Sequence, residues 1–238
     1  MPYFPAYNAL FVHIPKNAGR SIENALFPVG LASTSGKRSR LNRVAHFAQG
    51  ATGNADAQRY LVGTRDVSLS AQHLTLIEIE MLGLLPAAVD ARPFTFCVVR
   101  NPFERAISSI LHFCKPLAHL YSLSEKPDAA EIETALEAWA TLKSDNHNHN
   151  AHRRPQADFV FRRDTRNAMD MVLRFETLAE DFDRLKDAIG AKGVDLPWVG
   201  KSSTAHKDYA ALFTPRARAI VEDIYAADLE LFDYDFPG

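Results

Sequence analysis

The sequence feature that most constrains the fold is a run of β-branched and aromatic residues at positions 94–99, apolar except at Thr95. An unbroken run of this length is typical of a strand buried on both faces, as the strands of a parallel sheet are. Asn101 and Pro102 follow almost at once, and Glu104 stands three residues after the asparagine. This order is typical of a helix start. The run therefore predicts a buried strand that passes directly into a helix.

The same alternation of strands and helices recurs along the chain. Further strands are predicted at 10–14, 67–71, 159–161 and 171–175. Helices are predicted after Ser21, after the capping box Thr75–Glu78, over 128–142, from Thr177, and from about Pro215 to Leu229. Residues 30–58 and 144–156 are polar and are predicted to be irregular. Strands that alternate with helices indicate an α/β fold with a mainly parallel sheet. Because no linker divides the chain, we expect one domain over residues 1–238.

Composition narrows the classes of function. A net charge of -2 over 238 residues gives no bulk basic character, so we expect no nucleic-acid partner. No stretch approaches the roughly 20 apolar residues of a membrane helix, and the first residues lack the features of a signal peptide. Cys97 and Cys114 indicate reduced thiols rather than a disulfide framework. We therefore expect a cytoplasmic protein that does not associate with membranes.

The first junction between a strand and a helix has the composition of an anion site. The apolar run that begins at Leu10 stops at Pro15, Lys16 follows, and small residues lead into a helix. N–H groups at a helix N-terminus point outward, and the helix dipole favours negative charge there. Lys16 adds a positive charge. The segment Lys16–Ser21 is therefore predicted to bind phosphate or sulfate, while His13 is expected to shape the turn.

Two other junctions fit the same crevice. Arg100 ends the buried strand, where a guanidinium can fork onto a phosphate, and Ser108 adds a hydroxyl two turns into the helix. His73 stands between a predicted strand and a predicted helix. Ligands of open parallel sheets bind outside the carboxyl ends of the strands, so all three junctions could line one crevice. Two anion sites imply a ligand with two anionic groups.

These residues resemble a known family. His13–Ser21 is similar to the 5'-phosphosulfate motif of the sulfotransferases related to the Golgi carbohydrate enzymes and their bacterial relatives, roughly H-I-P-K-T-G/A-G-T-S. Arg100–Ser108 resembles the family's 3'-phosphate motif, R-D/N-P-x-x-R-x-x-S. His73–Thr75, Arg154–Phe159 and Tyr225–Tyr234 also look like the family, so the resemblance spans most of the chain. Asn17 and Arg20 depart from it, because a hydroxyl residue usually stands at each position.

The resemblance implies a P-loop-like three-layer α/β fold and the donor 3'-phosphoadenosine 5'-phosphosulfate (PAPS), whose sulfuryl group would pass to a carbohydrate or another small acceptor. Lys16 and His73 would be the catalytic residues, His73 as the base. The implied chemistry needs no metal. The remaining assignments are donor contacts at Asn17, Ala18, Gly19, Arg20, Ser21, Arg100 and Ser108, together with Lys16, and acceptor contacts at Arg154 and Gln156.

Structural roles for the same residues remain open as alternative interpretations. Lys16 could be solvated, Arg100 and Arg105 could be structural, His73 could only cap or pack, and Glu23 is expected to be a first-turn carboxylate. His147, His149 and His152 invite a metal site, but no cysteine or spaced carboxylate accompanies them. A nucleotide kinase is disfavoured because G-x-x-x-x-G-K-S/T is missing and Lys16 precedes the small residues. A non-catalytic nucleotide-binding module remains a further alternative.

Overall fold

A computed structural model describes residues 3–26, 73–81, 92–113, 123–124, 126–141, 143, 147–161, 167–197 and 209–237. They belong to two compact units, each made of two separate stretches of chain. The first unit comprises residues 1–99 and 158–200, and the second comprises residues 100–157 and 201–238. The predicted strand at 67–71, the irregular segment 30–58 and Cys114 lie outside the described residues.

The first unit is built on a four-stranded sheet. Its strands, in spatial and chain order, are β1 (Tyr3–Phe4), β2 (Ala9–Val12), β3 (Phe94–Val99) and β4 (Met171–Arg174). β1 pairs with β2 antiparallel, whereas β2, β3 and β4 run parallel. Because parallel neighbours share a direction, β2 and β3 end at the same edge of the sheet. The prediction of an α/β chain with a mainly parallel sheet is therefore confirmed.

Three helices of the first unit are α1 (Gly19–Leu26), α2 (Leu76–Met81) and α7 (Leu178–Ile189). The central strands are almost fully buried, as the sequence predicted, and Phe11, Phe96 and Val98 have no exposed surface. Their side chains form one apolar core with Ile22 of α1 and Phe182 of α7. The sheet thereby holds the start of α1 rigidly at the end of β2.

The second unit is helical where it is described. Its helices are α3 (Pro102–Phe113), α4 (Ala129–Thr141), α5 (His147–Arg153), α8 (Pro215–Ile224) and α9 (Ala226–Phe232). Ile132, Leu136 and Trp139 form the buried face of α4, as predicted, and pack with Phe103 and Val221. The last predicted helix is divided at Tyr225, which ends α8 and precedes α9.

Two predictions from the sequence are wrong. Residues 159–161 are predicted as a strand, but Phe159 and Val160 belong to the short helix α6 (Ala157–Val160), and Phe161 forms an isolated antiparallel bridge with Asn167. The first N–H group of α6, at Ala157, is accepted by the Asp228 carboxylate, which favours a helical turn. The polar stretch 144–156, predicted as a loop, contains α5. Arg105 donates to the carbonyl of Ala151 within α5 and to that of Arg154 just after it, contacts that local polarity does not reveal.

Candidate functional site

The first anion motif is a strained turn that ends in a helix N-terminus. Lys16 and Ala18 have positive φ angles of 69° and 58°, which non-glycine residues rarely adopt. Helix α1 then begins at Gly19, and the Ala18 carbonyl accepts the N–H groups of Ser21 at 2.9 Å and Ile22 at 3.3 Å. The earliest N–H groups of a helix have no acceptor inside it and project from its end. The turn therefore has the geometry of an oxyanion site.

The His13 ring lies on Gly19. An ideal Cβ on Gly19 would stand 1.8 Å from His13 Nε2, so no side chain fits at this position. His13 Nδ1 in turn lies 2.8 Å from Glu23 Oε1, and both residues are buried. Glu23, expected as a simple first-turn carboxylate, thus holds the ring that packs on the start of its own helix. The contact between His13 and Glu23 was not predicted from the sequence. Their separation of ten residues is the one sequence signal that could have suggested it.

The side chains of the motif point in different directions. Asn17 is completely buried, and its Nδ2 donates to the Val98 carbonyl at 2.7 Å, which ties the turn to β3. Ser21 is also buried, Lys16 is partly buried, and Arg20 is exposed. The side-chain amide of Asn17 points into the protein. At this position, therefore, the main chain is the group that can contact an anion.

His73 lies close to the first motif. Its Nδ1 is 2.8 Å from the His13 carbonyl oxygen, and the two imidazole rings meet edge to face with centroids 4.7 Å apart. Since a carbonyl only accepts hydrogen bonds, Nδ1 carries the proton, and the basic nitrogen of the neutral ring is Nε2. The predicted capping box of α2 is confirmed: Thr75 N–H donates to Glu78 at 2.7 Å, and Glu78 N–H donates to Thr75 Oγ1 at 3.2 Å.

The second motif places an arginine directly after β3. The Arg100 guanidinium donates to Glu104 Oε2, with Nη2 at 3.0 Å, and to the Tyr209 hydroxyl at 3.3 Å. Asn101 caps α3 as predicted, because its Oδ1 accepts the Phe103 N–H at 3.0 Å. Glu104 Oε2 accepts two of the hydrogen bonds of the Arg100 guanidinium. The contacts orient Arg100 and partly offset its charge.

Arg105 and Ser108 differ although both belong to the second motif. Arg105 is 1% exposed and donates to the carbonyls of Arg154 at 3.0 Å and Ala151 at 3.4 Å. Burial lowers the pKa of its guanidinium, while Tyr225 and Asp228 nearby act in the opposite direction. Arg105 therefore braces the end of α5. Ser108 lies on α3 and is partly exposed.

Gln156, assigned to the acceptor from the sequence, is completely buried. Its amide binds the main chain of Arg100, and Asp228 accepts hydrogen bonds from Gln156 and from Ala157. Burial raises the pKa of Asp228 above its usual range, against the opposing effects of Arg105 and these hydrogen bonds. Arg154 is partly exposed beside it. The role of Asp228 was missed because no local signal joins residues 72 positions apart.

The histidine-rich segment forms helix α5. His152 is buried and stacks on His112 of α3, with ring centroids 5.5 Å apart. No group of three or more histidine, cysteine, aspartate or glutamate side chains that could hold a metal occurs within the part of the chain that is described. In that part, no helix is long and apolar enough to cross a membrane.

A strained, lysine-bearing turn between the end of a parallel strand and a helix N-terminus is typical of proteins that bind phosphate or sulfate groups. The family model described as "Sulfotransferase family" matches residues 3–235. The chain belongs to this family, and its general chemistry is the transfer of a sulfuryl group. No curated protein and no solved structure matches the chain.

Proposed function

We propose that the protein transfers the sulfuryl group of PAPS to a hydroxyl group of a carbohydrate or another small acceptor. The observation that carries this proposal is the arrangement at the end of β2. The lysine-bearing anion turn begins three residues after His13, whose carbonyl oxygen binds His73. A cation, a helix N-terminus and a base with a defined tautomer are thus supplied within one unit.

The residues fit the 5'-phosphosulfate of the donor. Gly19 leaves the first turn of α1 without a side chain, since the His13 ring fills the position of a Cβ. Main-chain N–H groups of Ala18, Gly19 and Arg20 would hold the anion, and Ser21, whose N–H donates to the Ala18 carbonyl, would contribute its hydroxyl. By family resemblance, Arg100 and Ser108 of the second motif would bind the 3'-phosphate.

The donor supplies a sulfuryl group attached to a good leaving group, so the protein has mainly to align the reactants and to stabilise charge. Lys16 would neutralise negative charge that develops on the 5'-phosphate oxygen as its bond to sulfur breaks. The dipole of α1 favours the same charge.

His73 would act on the acceptor. Its Nε2 would accept the proton of the acceptor hydroxyl while that oxygen forms the new bond to sulfur in line with the breaking bond. The hydrogen bond from Nδ1 to the His13 carbonyl oxygen keeps the ring in the tautomer that this role needs. The Nδ1–H group would also retain its acceptor once the imidazole becomes positively charged.

Mass-spectrometric screening of hydroxylated acceptors with PAPS tests the proposal. We expect a product that gains a sulfuryl group with the wild type and with Lys192→Ala, an exposed lysine of the same unit. The Lys16→Ala variant should form little product. No transfer over a broad panel, together with normal donor binding, would favour the non-catalytic module. Magnesium-dependent ATP turnover without sulfuryl transfer would favour a kinase.

A further inference from the structure

A buried amide binds both main-chain polar groups of Arg100. Gln156 Oε1 accepts the Arg100 N–H group at 2.9 Å, and Gln156 Nε2 donates to the Arg100 carbonyl at 2.8 Å. The two residues are 56 positions apart, and Gln156 has no exposed surface. The pair of bonds therefore fixes the main chain at the point where β3 ends and the arginine side chain begins.

Asp228 fixes the amide in turn. Its Oδ2 accepts the Gln156 main-chain N–H at 2.9 Å and Gln156 Nε2 at 3.2 Å, while Oδ1 accepts the Ala157 N–H at 2.8 Å. A reversed amide would place Oε1 against two acceptors, the Arg100 carbonyl and the carboxylate. Only one orientation of Gln156 therefore satisfies the network.

Breaking this network lowers the stability of the fold, because each partner left without a hydrogen bond is buried. Asp228 is 0% exposed, so it cannot turn to solvent instead. The Arg100 side chain is held from the other end by Glu104 and Tyr209. Main chain and guanidinium are thus fixed independently, which is the preorganisation that bidentate recognition of a phosphate requires.

We propose that Gln156, held by Asp228, is a positioning residue for Arg100 and sets the recognition of the donor's 3'-phosphate. This inference rests on the proposed function, which assigns Arg100 to that phosphate. Gln156 acts through the arginine main chain and takes this role in place of the acceptor contact expected from the sequence.

Calorimetry with two nucleotides isolates the contribution of the 3'-phosphate to binding. The ratio of the dissociation constants of adenosine 5'-monophosphate and adenosine 3',5'-bisphosphate measures recognition of the 3'-phosphate alone. Gln156→Glu keeps the shape of the side chain but removes the donor and places a carboxylate against Asp228. We expect the ratio of the AMP to the bisphosphate dissociation constant to fall roughly tenfold, because the main chain that carries the Arg100 guanidinium is no longer fixed. The direction should match that of Arg100→Ala.

Ile132→Val is the matched control, since it weakens the core of the same unit without touching the network. It should leave the ratio unchanged. If Gln156→Glu does not fold, Gln156→Met removes both side-chain hydrogen bonds to Arg100 and the one to Asp228 without adding a charge, and the same ratio of dissociation constants tests the inference. A folded variant of either kind with the wild-type ratio would overturn the inference alone. A wild type that does not distinguish the two nucleotides would overturn the proposed function itself.

Discussion

The two anion motifs of this chain are built by different means. In the first, Lys16–Ser21, the main chain is proposed to bind the anion, and it is shaped by strained φ angles and by the His13 ring on Gly19. In the second, Arg100–Ser108, the Arg100 side chain is proposed to bind the anion, and hydrogen bonds hold its main chain and its guanidinium. The difference indicates that the first motif tolerates no change of volume, whereas the second depends on charge and hydrogen bonding.

The largest effect is expected at His73. His73→Asn retains a side-chain N–H that can donate to the His13 carbonyl but lacks a basic nitrogen. We expect kcat to fall by about 10²–10⁴-fold, the usual contribution of a positioned base. Affinity for adenosine 3',5'-bisphosphate should stay at the wild-type value, as measured by calorimetry. Turnover close to that of the wild type would exclude His73 as the base.

The next largest effect concerns volume in the first motif. In Gly19→Ala the new methyl group would collide with the buried His13 ring, and overpacking of this kind costs about 1–3 kcal/mol of unfolding free energy. Gly193→Ala is the control, since no atom lies within 4 Å of its ideal Cβ and only its φ of 74° opposes the change. Donor binding should be lost in the first variant and kept in the second.

A double-mutant cycle sharpens this result. Removing the ring with His13→Ala should relieve the collision, so the destabilisation by Gly19→Ala should be smaller in the double variant. Thermal or denaturant unfolding measures all four proteins. Additive effects would show that the contact between the ring and Gly19 does not shape the turn.

A smaller effect is expected at Asn17. Asn17→Ala removes the bond to the Val98 carbonyl and leaves that buried acceptor without this donor, which costs about 1–3 kcal/mol. The turn would also lose its attachment to β3, so donor affinity should fall with stability. An Asn17→Ala variant as stable as the wild type would show that the main-chain strain is supported by other contacts.

The smallest effect concerns charge in the second motif. Glu104 offsets the charge of Arg100, so Glu104→Gln should strengthen the binding of adenosine 3',5'-bisphosphate by a few-fold, in keeping with about 1 kcal/mol or less for such a pair. Glu222→Gln is the control, because Glu222 forms the same kind of pair with Arg218 on α8. Weaker binding in Glu104→Gln would mean that the carboxylate mainly orients the guanidinium.

The features predicted correctly from the sequence are local ones. The buried run 94–99 forms β3, Asn101 caps α3, and Thr75 and Glu78 form the expected capping box. Each depends on residues a few positions apart, so propensity and pattern suffice to predict it.

Distant residues decide the structure at the places that the sequence does not reveal. Gln156 is predicted from the sequence to contact an acceptor, and the structure shows its side-chain amide hydrogen-bonded to Asp228 and to the Arg100 main chain. The same carboxylate favours the helical turn at Ala157 that replaced a predicted strand. Arg105 likewise supports α5 from another helix. Hydrogen bonds between residues 46–72 positions apart leave no periodic signal in the sequence.

The most direct test compares kcat and the donor KM of Lys16→Ala and Arg100→Lys, with an acceptor identified by mass spectrometry. Lys16→Ala should lower kcat about 100-fold or more, because the charge that it neutralises develops during transfer. Arg100→Lys should raise the donor KM about tenfold with kcat nearly unchanged, because a single ammonium cannot fork onto the 3'-phosphate. The same division between kcat and KM in both variants, or no sulfated product from the wild type, would contradict the account.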